Sequence, residues 1–383
     1  MGMWVGRGRK ARRCYGFDEI ALVPREVTIN PDEVDCSWTI KDRMYQVPIL
    51  AAAMDGVVDV RFAIEMGRLG GIAVLNLEGV QTRYRNPDEV LERIAKATPD
   101  EATGFVQGIY REPINEKLIS TRIEQIKKGG APAVVSTIPQ RAERFGGIAQ
   151  EAGADMFVVQ STVTTVKHLS TAYETLDFAK LCKAMKIPVI VGNTCSYSTA
   201  LELMETGIDA LLVGIGPGAA CTTRGVLGIG VPQVTATCDC AAARDTYFLK
   251  TRRYVPIITD GGMRSGGDVC KALAAGADAV MMGSIFAGTK ESPGQGYSWG
   301  MSTGHAQLPR GTRIRVGVNT TLERLLFGPT SRTDGTENLV GAIRSAMGMC
   351  GAQTIHEFHN VELIVAPSIK TEGKKHQLAQ QRR

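Results

Sequence analysis

The chain has 383 residues, of which 44% are hydrophobic and 22% charged, and it carries a formal net charge of +5. This composition supplies a large core and suits a folded globular protein rather than a disordered one. The modest positive charge favours small anions without arguing for nucleic acid, and no apolar run reaches the roughly 18 residues of a membrane span.

The first residues, "MGMWVGRGRKARRCYG", are basic but lack the apolar segment of a secretory signal. Their glycines disfavour a presequence helix, so a solvated arm is expected. The nine cysteines are scattered singly apart from Cys238 and Cys240, which suits a cytoplasmic protein better than a secreted one. The "CDC" spacing is too tight for a zinc CxxC and no second pair follows, so buried helical thiols are expected there rather than a metal.

Apolar runs rich in Val and Ile then recur along the chain, at 47–54, 70–77, 131–138, 155–162, 187–193, 209–216, 255–262 and 278–284. Continuous rather than alternating apolar runs predict strands buried on both faces of a parallel sheet. Eight of them separated by helical patterns predict an α/β fold, a (β/α)8 TIM barrel. An internal echo supports it: "AGADMFVVQ", "TGIDALLVG" and "AGADAVMMG" each read as a helix ended by Gly, then Asp, then a strand. The whole chain, 1–383, is expected to form one such domain. Residues 81–130 make a longer, charged helical connection. Residues 285–336, rich in Gly, Ser, Thr and Pro, form a long segment after the eighth strand, expected to act as a flap or lid. A helix near 337–350 should close the barrel, and 371–383 should be a polar tail.

In such barrels the functional groups lie at the carboxyl ends of the strands. Those ends carry Met54, Asp55, Asn76, Gln160, Ser161, Asn193, the loop from Gly216 to Cys221, Asp260, Gly261, Gly262, Gly283 and Ser284. Glycines after strands seven and eight let backbone N–H groups approach a phosphate. Asp260 would repel a phosphate and should take ribose hydroxyls. Cys221 lies in the glycine-rich "GIGPGAACTTRG", beside Thr222, Thr223 and Arg224. A thiol in such a loop, near a cation, reads as a nucleophile. The same tight turns can aim carbonyls of Gly216, Gly218 and Cys221 at a monovalent cation.

Together "GIGPGAACTTRGVLGIGVPQ", "AAMDGV", "GGIAVLN", "GNTCS", "ITDGGM", "AVMMGS" and "YSWGMS" resemble the IMP dehydrogenase/GMP reductase family, from about Gly16 to about residue 350. The likeness is closest to a short IMP dehydrogenase-related branch without the regulatory CBS modules. The resemblance implies NAD-dependent oxidation of IMP to XMP through a covalent thioimidate on Cys221, with Thr223 assisting proton transfer. It implies nucleotide contacts from Met54, Asn193, Asp260, Gly261, Gly262, Gly283, Ser284, Gly300 and Met301. The cofactor would lie by Gln160, Ser161 and Gly214, and K+ on the carbonyls of Gly216, Gly218 and Cys221. A neighbouring subunit would complete the cation site, with "TEG" (371–373) a candidate donor. The expected assembly is a homotetramer, with octamers as a further step, and no nucleic acid or membrane partner.

The sequence departs from the family pattern at several points. Ala219 replaces a phosphate-binding serine, Ser298 replaces a tyrosine that Tyr297 could stand in for, and Gln160 replaces the aspartate that takes the cofactor ribose. Arg310 stands where an acidic or amide side chain reads the purine. Between Gly300 and Val316 there is neither the Arg-Tyr pair of the dehydrogenases nor the glutamate of the reductases. Arg310 and Arg313 are therefore the expected water activators, with His305 as a rival. NADPH-dependent reduction of GMP to IMP and ammonia stays open, as does a regulator that binds purine nucleotides without turnover. A flavin-dependent barrel would have no need of Cys221.

Overall fold

The computed structural model describes residues 2–301, 313–369 and 371. Eight parallel strands close into a barrel: β1 (Ile49–Ala51), β2 (Ile72–Asn76), β3 (Val134–Thr137), β4 (Met156–Gln160), β5 (Val189–Thr194), β6 (Ala210–Val213), β7 (Ile257–Asp260) and β8 (Ala279–Met282). Closure is direct, with Val280 of β8 paired beside Ile49 of β1. Every apolar run yields one strand, shorter than the run; in seven of the eight the last residues of the run already belong to the loops of the mouth, and Val189–Thr194 ends one residue past its run. Val191, Leu212, Ile258 and Val280 are fully buried, as expected for strands covered on both faces.

The repeated Gly–Asp pattern has a physical cause. Gly153, Gly207 and Gly276 hold φ of 85°, 95° and 110°, which a side chain would strain. The aspartate two residues later reaches sideways to the preceding strand. Asp155 accepts from the Ala133 amide at 2.8 Å, Asp209 from Val189 at 2.9 Å and Asp278 from Ile257 at 2.7 Å. Each also meets a cation: Lys127 at 2.8 Å, Arg253 at 3.0 Å and Arg244 at 3.1 Å respectively. The three carboxylates thus tie neighbouring strands together at the amino end of the barrel, opposite the mouth.

The amino-terminal arm departs from expectation. Met3–Gly6 and Arg9–Ala11 pair as an exposed antiparallel hairpin, and Arg12 pairs with Asp239. Farther on, Ile20–Leu22 pairs with Leu363–Val365, joining the two ends of the fold. The connection after β2 forms helices Val80–Arg83, Pro87–Lys96, Pro99–Ile109 and Glu116–Lys128. The predicted closing helix is Leu339–Met349 and packs on Gly266–Ala274, where a Cβ at Gly266 would come within 2.5 Å of the Ala342 Cβ. After β8 the described chain holds the helices Ser284–Ala287 and Leu322–Phe327 and a ribbon of Tyr297–Ser298 with Ile314–Arg315. Among the described residues no helix is long and apolar enough to cross a membrane.

Candidate active site

The loop after β6 is built around Arg224. Its Nε donates to the Ile215 carbonyl at 3.2 Å and its Nη2 to the Val231 carbonyl at 2.6 Å, so one guanidinium holds both arms of the loop. It lies so close to the backbone that a Cβ at Gly216 or Gly230 would come within 2.7 or 2.6 Å of it. Here Gly216 and Gly230 make room for an arginine. Gln233 joins the loop to β7, donating from Nε2 to the Val213 carbonyl at 2.7 Å and to the Asp260 carbonyl at 3.1 Å. Gly214, with φ of 147°, passes beneath this amide, and a Cβ there would lie 2.4 Å from the Asp260 oxygen. Sequence reasoning missed Gln233. Its only signal is a long polar side chain at the start of the helix Gln233–Thr251, straight after the glycine loop.

Cys221 is the exposed thiol of the nine. Its Sγ donates to Thr223 Oγ1 at 3.3 Å, and its amide donates to the Gly218 carbonyl at 3.0 Å. Burial pushes most other thiols up, Cys182 to about 11 and Cys270 to about 12, with Cys36, Cys195, Cys238, Cys240 and Cys350 raised as well. A raised thiol holds little thiolate and makes a poor nucleophile. Cys238 and Cys240 are indeed helical, and the described residues contain no cluster of three metal-ligating side chains.

Across the mouth, Asp260 ends β7. Asn193 Nδ2 donates to its Oδ2 at 2.8 Å, and Gln160 Nε2 donates to the same oxygen at 3.2 Å. Gln160 also reaches Asn193 Oδ1 at 3.1 Å. The structure therefore turns Gln160 toward Asp260 as a buttress. Desolvation raises the Asp260 carboxyl to about 6, while the Asn193 hydrogen bond works the other way. Gly261 and Gly262 follow with φ of 83° and 84°, and a Cβ on Gly262 would touch Pro217 at 3.0 Å. The loops after β6 and β7 are thus packed together. After β8, Gly283 lies under Met54, whose Sδ would be 2.6 Å from a Cβ, and Ser284 opens a short helix.

These groups line one cleft of about 1140 Å3, together with Gly300, Met301 and Ser161. Its far half, over β2 to β4, adds a carboxylate that sequence reasoning missed. Glu78 accepts from Thr137 Oγ1 at 2.6 Å and pairs with Arg141 at 2.8 Å. Two expectations for the segment after β8 come out differently. The Arg313 guanidinium donates to the carbonyls of Ile94, Ala95 and Ala97 and stacks 4.4 Å from the Tyr297 ring centroid. It is held at a helix end rather than at Cys221. Tyr297 is that cation's stacking partner, and Ser298 is fully buried. Arg310, His305 and positions 372–373 lie outside the described residues.

The description "IMP dehydrogenase / GMP reductase domain" matches residues 14–376. The chain is 35% identical over 370 residues to an "uncharacterized oxidoreductase" of Mycolicibacterium smegmatis, covering 94% of this chain and 99% of that protein. It is 32% identical over 381 residues to inosine-5'-monophosphate dehydrogenase of Cryptosporidium parvum, covering 89% of each. The crystal structure of an IMP dehydrogenase/GMP reductase-like protein from Corynebacterium glutamicum matches with a TM-score of 0.90 at 34% identity, over 95% of this chain and 98% of that one. With its thiol loop, its barrel and these relatives in agreement, the chain belongs to the IMP dehydrogenase/GMP reductase family of oxidoreductases.

Proposed function

We propose that the protein oxidises IMP to XMP with NAD, using Cys221 as the nucleophile. The observation that carries this reading is the exposed Cys221 thiol, 3.3 Å from the Thr223 hydroxyl, in the same cleft as the Asp260 carboxylate. The Cys221 sulfur bonds to C2 of the purine ring, and C2 loses its hydrogen as hydride. The resulting thioimidate is cleaved by water, which leaves oxygen on C2 and returns the thiol. Thr223 accepts and passes a proton beside the sulfur. Asp260, oriented by Asn193 and Gln160, accepts from the ribose hydroxyls. The backbone around Gly261, Gly262, Gly283 and Ser284 faces the phosphate, where no bulky side chain intervenes. Met54 and Met301 give the base an apolar, polarizable bed.

The cleft exceeds the space a single small ligand needs, roughly 300–1,000 Å3, so its residues fit a second ligand beside the nucleotide. NAD, when bound, supplies the hydride acceptor. Gly214, Ser161 and the polar lining around Thr137 would hold it. K+ fits the chemistry of neutral carbonyl donors on Gly216, Gly218 and Cys221. The Gly218 oxygen already accepts one amide, which leaves it one lone pair. Bound K+ would stiffen the Cys221 loop. With Arg313 engaged on a helix end, Arg310 is the water activator in this reading. We further propose a cytoplasmic homotetramer that pairs into octamers, binding no nucleic acid or membrane.

Reductive deamination of GMP would use the same thiol and cleft. Purified protein in K+ buffer with reductant separates the readings. Steady NADH formation from IMP and NAD supports the dehydrogenase. NADPH consumption with GMP would overturn it in favour of the reductase. Nucleotide binding without either reaction would make the protein a regulator.

A further inference from the structure

Outside the reacting groups, the described residues hold a second apolar cluster. Val80, Val90, Leu91, Ile94, Val106, Ile109 and Tyr110 of the connection after β2 pack around Trp299, which is fully buried. Met301 and Tyr297 lean on the same cluster. The connection is thus a helical platform, and the ribbon after β8 rests on it as well as on the barrel.

Two polar fastenings reinforce the packing. The Tyr110 hydroxyl donates to Asp55 Oδ2 at 2.7 Å and accepts from Trp299 Nε1 at 2.8 Å, with Met301 Sδ 3.4 Å away. One hydroxyl has one proton and two lone pairs, so it joins the loop after β1 to Trp299 directly and leaves Met301 in van der Waals contact. Just before the other strand of the ribbon, Arg313 donates to carbonyls at the end of the helix Pro87–Lys96 and at its C-cap Ala97. Those carbonyls lie in the last turn and at the C-cap of the helix, its negative end, and a cation is the group they favour. Tyr297 lies over the same guanidinium at 4.4 Å and pairs with Arg315 across the ribbon.

We propose that Tyr110 and Arg313 are positioning residues: each pins one strand of the ribbon to the platform, and Tyr110 thereby holds Met301 in place over the purine base. The part concerning Met301 rests on the function proposed above; the clamp itself does not. Two residues 203 positions apart and outside the reacting groups would then set the geometry of one wall of the site.

Two measurements on the full chain test this. Amide hydrogen exchange is followed in wild type, Tyr110→Phe and Arg313→Lys without ligand. The clamp predicts exchange in residues 294–301 and 313–318 faster by on the order of tenfold, with the barrel strands unchanged. No change in those segments, or the same change throughout the chain, would overturn it. Calorimetric titration with IMP then asks whether Tyr110 acts through Met301. Tyr110→Phe should weaken binding by on the order of fivefold, and the same change in a Met301→Ala background should have no further effect. Additive losses would overturn the positioning role. If wild type binds no IMP, the purine-nucleotide reading fails, and the exchange data still judge the clamp.

Discussion

Asn193 and Asp260, from strands two places apart around the barrel, meet at the centre of its mouth through a 2.8 Å hydrogen bond. That bond, with Gln160 on the same oxygen, leaves the other carboxylate oxygen to a ligand. Desolvation outweighs it, so the carboxyl titrates at about 6. A protonated Asp260 loses its charge and half its accepting capacity toward a diol. Affinity for a purine nucleotide should therefore fall as pH drops through 6, and Asp260→Asn should bind roughly tenfold more weakly with a shallower pH dependence, that of the ligand's own phosphate. Titration calorimetry between pH 5 and 8 checks it.

The same group has the opposite effect on stability of the ligand-free protein. Its folded pKa, about 6, lies above the ordinary 3.8, so the folded state binds the proton more tightly. The stabilisation from this group is complete below 3.8 and is lost as pH rises through 6. Wild type should gain thermal stability relative to Asp260→Asn when pH is lowered from 7 to 5, as thermal scans of both proteins would reveal. A parallel response of the two would assign the trend to other carboxylates.

Gln233 should matter more than its neighbours in sequence suggest. Replacing it by Leu leaves two carbonyls, at Val213 and Asp260, without their donor. The expected cost is about 2–3 kcal/mol in denaturant unfolding. Activity should fall further than stability, because Gly214 and Asp260 are held by that amide. Equal loss of both would mean that Gln233 supports only the fold.

At the other end of the barrel, Asp278→Ala removes one of the two carboxylates paired with Arg244, whose side chain is only 3% exposed, and leaves Asp245 at 2.9 Å and the Gly276 carbonyl at 2.6 Å. Loss of that carboxylate, which also accepts from the Ile257 amide, should cost about 1–3 kcal/mol. Below the lowered melting temperature, nucleotide affinity should be unchanged, since Asp278 lies opposite the mouth. Denaturation curves paired with binding data separate this scaffold role from the site.

The barrel was legible in the sequence because its causes are local. A strand covered on both faces must be apolar throughout, and a helix that turns at once into a strand needs Gly at the left-handed position. The Asp that follows each such Gly had a visible position and an invisible partner, since Ala133, Val189 and Ile257 lie on neighbouring strands. Cys221 was legible for the same local reason: glycines and arginine flank it. The contacts that were not legible are those between distant segments. Nothing in the sequence shows that the amide of Gln160 goes to Asp260, 100 positions away. Arg313 reads as catalytic until the platform's carbonyls, 216–219 positions away, claim its guanidinium. The hairpin at Met3–Ala11 was hidden because its strands carry basic and apolar residues without a buried face.

The central claim is that Cys221 forms the covalent intermediate in the oxidation of IMP. The most direct measurement is mass spectrometry of the Cys221 peptide after acid quench of protein turning over IMP and NAD with K+. The account predicts a purine nucleotide adduct on Cys221 during turnover that disappears when IMP is exhausted. NADH formation with an unmodified Cys221, or its persistence in Cys221→Ala, would contradict it.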